Sequence, residues 1–309
     1  MTSRAVNPIL PGSIKDRTGS TGLLRRALRE INRRWAGLQA DALALLDGVG
    51  RLQTNAVADA QTIYTLTPTQ MAQLSLDLQA AVRRWIADDR QPADQLWWAP
   101  YSADAAAMGA AQSAANLAGL SHAYAAARSV ESIIYSEPYR NRIAMAQIRS
   151  MDHWTSTAAA VRADLAQIIG RGVADGRNPR VVAADIVTSL GMSKSRAQLY
   201  AQTDITGTLR ETRWQEADYA EQQFGMRIGM LWTSALIPST RPWHASRNGS
   251  TYSTGEVRAF YGQRGNVFRC HCSQTEALLD SDGVPILTDR LKSAMRKERE
   301  KWQADHDGA

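Results

Sequence analysis

Apolar side chains recur along residues 24–49 at alternating spacings of four and three: Leu24, Leu28, Ile31, Trp35, Leu38, Ala42, Leu45 and Val49. A strand would alternate every second residue, so this period predicts one long helix with a single apolar seam. The same grammar continues downstream. Thr67 can cap, Pro68 suits the first helical position and Gln70 can reach back to the cap, after which Met71, Leu74, Leu78, Val82 and Trp85 share a face. Residues 102–135 are alanine-rich and helical, with Gly109 and Gly119 open to close approach by a neighbouring helix, and Pro138 marks their end. A further run stops near Gly172–Gly176. Asn178 and Pro179 then open a helix expected to end at Gly191, and Ser193 or Ser195 opens the next, which closes at Gly225. Gly207 inside it costs about 1 kcal/mol against alanine, which predicts a close neighbour there.

Beyond Gly225 the pattern changes. Strand-type residues in "MRIGMLWTSALI" precede about forty residues rich in Gly, Ser, Thr, Asn and aromatics. The expected fold is therefore mainly α with a small α+β C-terminal domain: long N-terminal helices, then a turn-rich unit with short strands near 226–280. The expected organisation is a loose arm over 1–20, a helical region over 21–190, a compact domain over 191–287 and a charged helix or tail over 288–309. That last helix has apolar residues enough to bury one side only.

Of 309 residues, 44% are apolar and 21% charged, which fits a folded protein rather than a disordered one. Two cysteines are too few for a disulfide-stapled secreted domain. The first twenty residues lack the apolar core of a signal peptide, and no run of about 18 apolar residues occurs. The expectation is a chain folded in a reducing cytoplasm without membrane contact. A net charge of +6 mildly favours an acidic partner. Arg25, Arg26, Arg29, Arg33 and Arg34 lie off the first seam, opposed nearby only by Glu30. They read either as a solvated face or as a contact surface for phosphate or an acidic protein ring.

Three stretches carry a family resemblance. "GRGVADGRNPRVVAADIVTSLGMSKSRAQLYAQTDITGTLRETRWQEA" is similar to a Gly-rich start, helix, Arg-Ala pair and long helix. "LWTSALIPSTRPWHASRNGSTY" is similar to a strand ending in Trp-x-Thr followed by Thr-Arg-x-x-His, and "GNVFRCHCSQTEAL" to a closing Cys-Arg-Cys strand. Together, over roughly residues 165–280, they resemble the phage minor head proteins of the Mu F-like, head-morphogenesis family. Gln202-Thr203-Asp204 stands where that family commonly has Arg-Thr-Glu, and His271 replaces the arginine between the cysteines. An earlier cysteine pair found in some members is absent near Ser234, Ser239 and Thr240. The resemblance implies a non-enzymatic structural protein of the virion, in the head interior or at the portal vertex, assembled in the host bacterial cytoplasm. The implied partners are the portal, capsid and scaffold proteins and double-stranded DNA. Lys292, Arg296 and Lys297 join the five N-terminal arginines as expected contacts.

Cys270 and Cys272 flank His271 and, with His244, supply three candidate ligands for a structural zinc ion; no other cofactor and no catalytic residue is expected. In an extended strand the two thiols share a face, His271 points away, and the cysteine Cα atoms lie about 6.6–6.8 Å apart, so chelation requires a bend. Glu256 or Asp280 could add a fourth ligand, but spacing selects neither. A disulfide is disfavoured by that separation and by the compartment, and a catalytic thiol lacks an orienting third group. The leading reading is packing, with small thiols buried on one face and His244 hydrogen-bonded across a turn-rich unit. Two competing functions stay open: a metal-dependent hydrolase such as a nuclease using His244, Cys270, His271 and Cys272, and a plain DNA-binding protein. The first lacks paired carboxylates or a His-Glu-x-x-His motif, and the second a helix-turn-helix. Trp97 and Trp98 are expected under a partner surface or in the chain's own core, and His122, His153 and His306 as packing or surface residues.

Overall fold

The structure, a computed structural model, describes residues 5–52, 62–263 and 265–307. Residues 1–4 of the expected arm and 308–309 of the expected tail lie outside them. The described elements are α1 (Thr21–Asp47), a two-stranded ribbon β1 (Arg51–Leu52) and β2 (Ile63–Tyr64), α2 (Pro68–Trp85), a 3-10 turn (Ala93–Gln95), α3 (Ala99–Leu120), α4 (His122–Ala127), α5 (Val130–Ile134), α6 (Glu137–Ala174) and α7 (Pro179–Phe224). Then follow β3 (Ile228–Thr233), α8 (Pro242–Ala245), β4 (Thr251–Tyr252), α9 (Thr254–Tyr261), β5 (Ser273–Leu278) and α10 (Asp289–Asp307). The chain is thus mainly helical with a small antiparallel sheet near its end, as expected. Among the described residues no helix is long and apolar enough to cross a membrane.

The chain divides into two compact units built from separated segments: a helical unit from Arg26–Ala99 and Gln147–Ala201, and a sheet unit from Met1–Arg25, Pro100–Ala146 and Gln202–Ala309. In the helical unit the seam of α1 buries Ala27, Ile31, Trp35, Leu38, Ala42 and Leu46. The expected pattern holds in its middle, but at either end the true stripe falls one residue away from Leu28 and Leu45, which are half-buried. A straight helix turns 100° per residue and drifts off a strict heptad. Thr67 and Gln70 form the expected capping box at the head of α2. Gly37 lets the Trp85 indole lie against α1, where a Cβ would stand 2.5 Å from the ring, and Trp85 Nε1 donates to Asp41 at 2.7 Å. Trp98 is fully buried, its ring centroid 5.4 Å from that of Trp97 and 5.2 Å from that of Trp154. Trp98 thus lies in the chain's own core, whereas Trp97 is half-buried.

His153 stacks on Tyr200 at 3.3 Å between ring centroids, and burial pushes its pKa from 6.5 down to about 4. The unfolded chain takes up this proton first, so the contribution to stability is whole above about pH 6.5 and falls away toward pH 4. An NMR titration should place the His153 ring midpoint near 4; a midpoint near 6.5 would mean an open, solvated ring.

Four helix boundaries differ from expectation. Residues 102–135 break at Ser121 and Ser129, whose side chains cap α4 and α5. Pro138 sits in the first turn of α6 instead of ending a helix, where its missing N–H costs nothing. α7 runs unbroken through Gly191 and Ser195, since one glycine is too small a penalty to stop a helix already propagating. Gly207 has open space around it, against expectation, whereas Gly109 has a Cβ position 2.5 Å from the Leu209 carbonyl oxygen, so α3 and α7 meet there backbone to backbone.

In the sheet unit β3 is central, paired antiparallel with β4 and β5, with Leu231 opposite Thr275 and Trp232 opposite Gln274. Every residue of β3 is buried, which explains its continuous apolar run. Residues 5–20 are helix-free but tied down, in contrast to a loose arm. Asn7 bonds with Thr288, the Ile9 N–H donates to Asn116, and Arg17 donates to the Ser234 carbonyl and pairs with Glu298 at 2.7 Å. α10 buries Met295 and Trp302 and leaves its charged side to solvent.

Candidate metal centre

Two chain segments after β3 build the site. At the end of that strand the backbone turns through Leu236, a non-glycine residue at φ 51°, and enters α8 with Pro242 in the first turn. This short helix aims His244 inward: the residue is 2% exposed, its carbonyl accepts from the Ser234 hydroxyl, and its ring lies edge-on to Phe260 at 4.9 Å. The second segment joins α9 to β5. Asn266 holds it by donating to the Phe260 carbonyl and accepting from Trp243 Nε1. Arg269 follows at φ 52°, a conformation that costs a side-chain-bearing residue energy and is held by its surroundings.

This left-handed turn supplies the bend that a straight strand would have lacked. Cys270–Cys272 precede β5 in irregular backbone, and the sulfurs converge on the imidazole: His244 Nδ1 is 3.4 Å from Cys270 Sγ and 3.8 Å from Cys272 Sγ. All three donor atoms lie within 4.8 Å of one another, all three residues are buried, and both thiols are free. His271 turns away from them, as its place between the thiols predicted, and meets Gln202 at 2.7 Å. The four-residue set of the hydrolase reading is therefore not assembled. Glu256 is engaged in the Ser253 capping box and Asp280 in a turn with Asp282 and Val284, so neither joins the cluster.

Arg210 of α7 was not singled out by the sequence and proves central. It is 1% exposed, donates from Nη2 to the carbonyls of Cys270 (2.8 Å) and Cys272 (2.6 Å), and stacks over Tyr261 at 4.7 Å. Its Nη1 has no partner among the described residues. A guanidinium buried without a carboxylate needs a counter-charge, and the acidic groups that act on it are the Tyr261 phenol and the two thiols. Burial raises the Cys270 thiol, but the Cys272 hydrogen bond, Arg210 and His244 overcome it and hold that thiol well below its ordinary value. Cys272, donor to its neighbour, is raised by that bond and by burial. Tyr261 also meets Cys270 Sγ, at 3.4 Å. The cluster borders a cleft of about 330 Å³ whose other walls include Gln202, Ser239, Thr240, Arg241 and Arg269. Arg241 donates to the Asn266 and Phe268 carbonyls at 3.2 and 2.9 Å and makes a long, 3.4 Å contact with His244 Nε2.

Residues 163–275 match the model of a family described as phage Mu protein F like protein. That stretch of the chain is similar to the Mu F-like family. The matched span includes His244, Cys270, Cys272 and Arg210, and it agrees with the resemblance read from the sequence. No curated protein and no solved structure is significantly similar to the chain. The buried Arg210 has no sequence signal: on a helix as charged as "TLRETRWQEA", nothing separates it from a solvated one.

The expected contact residues lie elsewhere. Arg25, Arg26, Arg29 and Arg33 are exposed on α1. Arg33 and Arg34 both pair with Glu30, and Arg34 is half-buried with its guanidinium 4.3 Å from the Trp97 ring centre. Lys292, Arg296 and Lys297 are exposed on α10, Arg296 lying 3.7 Å from Glu300.

Proposed function

We propose that the protein is a structural minor head component of a tailed phage, acting in head assembly next to the portal, capsid and scaffold proteins and touching packaged double-stranded DNA. The observation that carries this reading is the family match over residues 163–275. Support for a protein partner comes from large apolar side chains left exposed on long helices, among them Val181, Val187 and Met192 of α7. Support for a DNA contact comes from the exposed arginines of α1 and the basic residues of α10. Arg34 contributes least, since its charge is already met by Glu30 and Trp97. No step of this role requires bond chemistry.

Mass spectrometry of purified particles, full and DNA-free, tests the assignment: the chain should be found in both. Its absence from particles would refute it. DNA contact has a separate measure. Each phosphate neutralised contributes about −0.9 to the slope of log K against log salt, so changing Arg25, Arg26, Arg29 and Arg33 to alanine should flatten that slope by about 2–4. An unchanged slope would remove α1 from the DNA contact.

A further inference from the structure

We propose that His244, Cys270 and Cys272 bind one zinc ion whose fourth coordination position opens on the cleft and is filled there by an anionic ligand. The inference rests on the geometry of these residues and is independent of the role in the phage head.

Tetrahedral zinc with Zn–S of about 2.3 Å and Zn–N of about 2.0–2.1 Å sets its ligand atoms about 3.5–3.8 Å apart. The sulfur-to-nitrogen distances of 3.4 and 3.8 Å match that spacing before any rearrangement. Two sulfurs and one imidazole nitrogen suit a borderline-soft d10 cation and not a hard one. An independent observation, the buried Arg210 with its unpartnered Nη1, points to the same place. A site that keeps a lone guanidinium out of water favours anionic sulfur beside it. Its bonds to the Cys270 and Cys272 carbonyls also fix the backbone that presents both sulfurs, as outer partners of metal ligands do.

The open position follows from counting. Among the described residues the cluster holds three ligands, and the two carboxylates that the sequence offers for a fourth, Glu256 and Asp280, are committed to other hydrogen bonds. His244, Cys270 and Cys272 all line the cleft, and the remaining vertex is assigned to that side. Two thiolates neutralise the zinc charge, while Arg241 and Arg269 line the cleft and favour an anion there. Binding at Nδ1 places the imidazole proton on Nε2. That displaces only the long Arg241 contact, because Arg241 keeps its two carbonyl bonds.

Full-length protein without an affinity tag, purified under reducing conditions, should contain one zinc per chain by elemental analysis. Cobalt(II) substitution should give thiolate-to-cobalt charge-transfer absorption and intense tetrahedral d–d bands. Added azide should shift those d–d bands, since an open vertex exchanges its ligand and a saturated site does not. Cys272→Ser should lower zinc affinity at least tenfold, and Arg210→Met about 10–100-fold with the cobalt spectrum retained. Sub-stoichiometric zinc together with no thiolate–cobalt band in the unmutated protein would overturn the site. A normal cobalt spectrum that ignores azide would overturn the open position. Both readings come from the unaltered chain, so misfolding of a variant cannot mask the answer, and neither depends on particle membership.

Discussion

Replacing Glu276 with alanine is expected to destabilise the protein by about 3–5 kcal/mol, because it leaves a buried guanidinium without its partner. Glu276 sits on β5 with its side chain fully enclosed, accepts from Arg213 and the Ser113 hydroxyl at 2.6 Å each, and takes a further bond from Asn116 at 2.8 Å. Three elements, β5, α3 and α7, therefore meet on one carboxylate. Burial alone would raise its pKa, but the Arg213 charge and the hydrogen bonds outweigh it, so the folded value lies below 4.5. A depressed carboxyl contributes stability that is present above about pH 4.5 and is lost as pH falls through the folded value. Urea midpoints measured from neutral pH into acid should thus fall for the natural protein and fall less steeply for Glu276→Ala. A double change of Glu276 and Arg213 to apolar residues of similar volume should restore much of the loss, since the desolvation cost of both charges goes with them. A single variant within about 1 kcal/mol of the natural protein would mean that water reaches Arg213.

The second large effect belongs to the helical unit. Trp98→Ala should cost about 3–5 kcal/mol by leaving a cavity that the surrounding helices cannot close. Its ring is fully buried, and Trp154 is shared with Trp97 at 4.8 Å and with Trp35 at 6.2 Å, so four indoles support one another. Trp98→Phe keeps an aromatic ring in place and should cost less. Tyr135→Ala is the control: at 74% exposure it should change stability by no more than about 0.5 kcal/mol. Near-ultraviolet circular dichroism should also collapse for Trp98→Ala and persist for Tyr135→Ala. Equal effects at the two positions would contradict the aromatic cluster.

Much of the architecture was legible in residue pattern, and the exceptions have physical causes. The α2 capping box, the strand in "MRIGMLWTSALI" and the close approach at Gly109 follow from local chemistry. The continuity of α7 through Gly191 was missed because glycine's helix penalty is small against packing over many turns. Ser121 and Ser129 broke an alanine-rich run because their hydroxyls bond backbone N–H groups three residues on, a competition that composition hides. The three candidate ligands are legible from their residue types, whereas their convergence is not, because a straight strand keeps two such sulfurs apart.

By itself the sequence determined that helices dominate, that a short-stranded unit follows Gly225, and that His244, Cys270 and Cys272 are the residues worth watching. These are matters of period, caps and side-chain chemistry, written within a few residues of one another. Only the tertiary structure decided that the sulfurs meet the imidazole, that Arg210 lies buried behind them, and that Glu276 holds three elements together. The cluster depends on β3 pairing with β5 across the 39 residues that separate them and on Arg269 adopting a left-handed turn. Long-range pairing of that kind is selected by the free energy of the whole fold, and no local propensity encodes it.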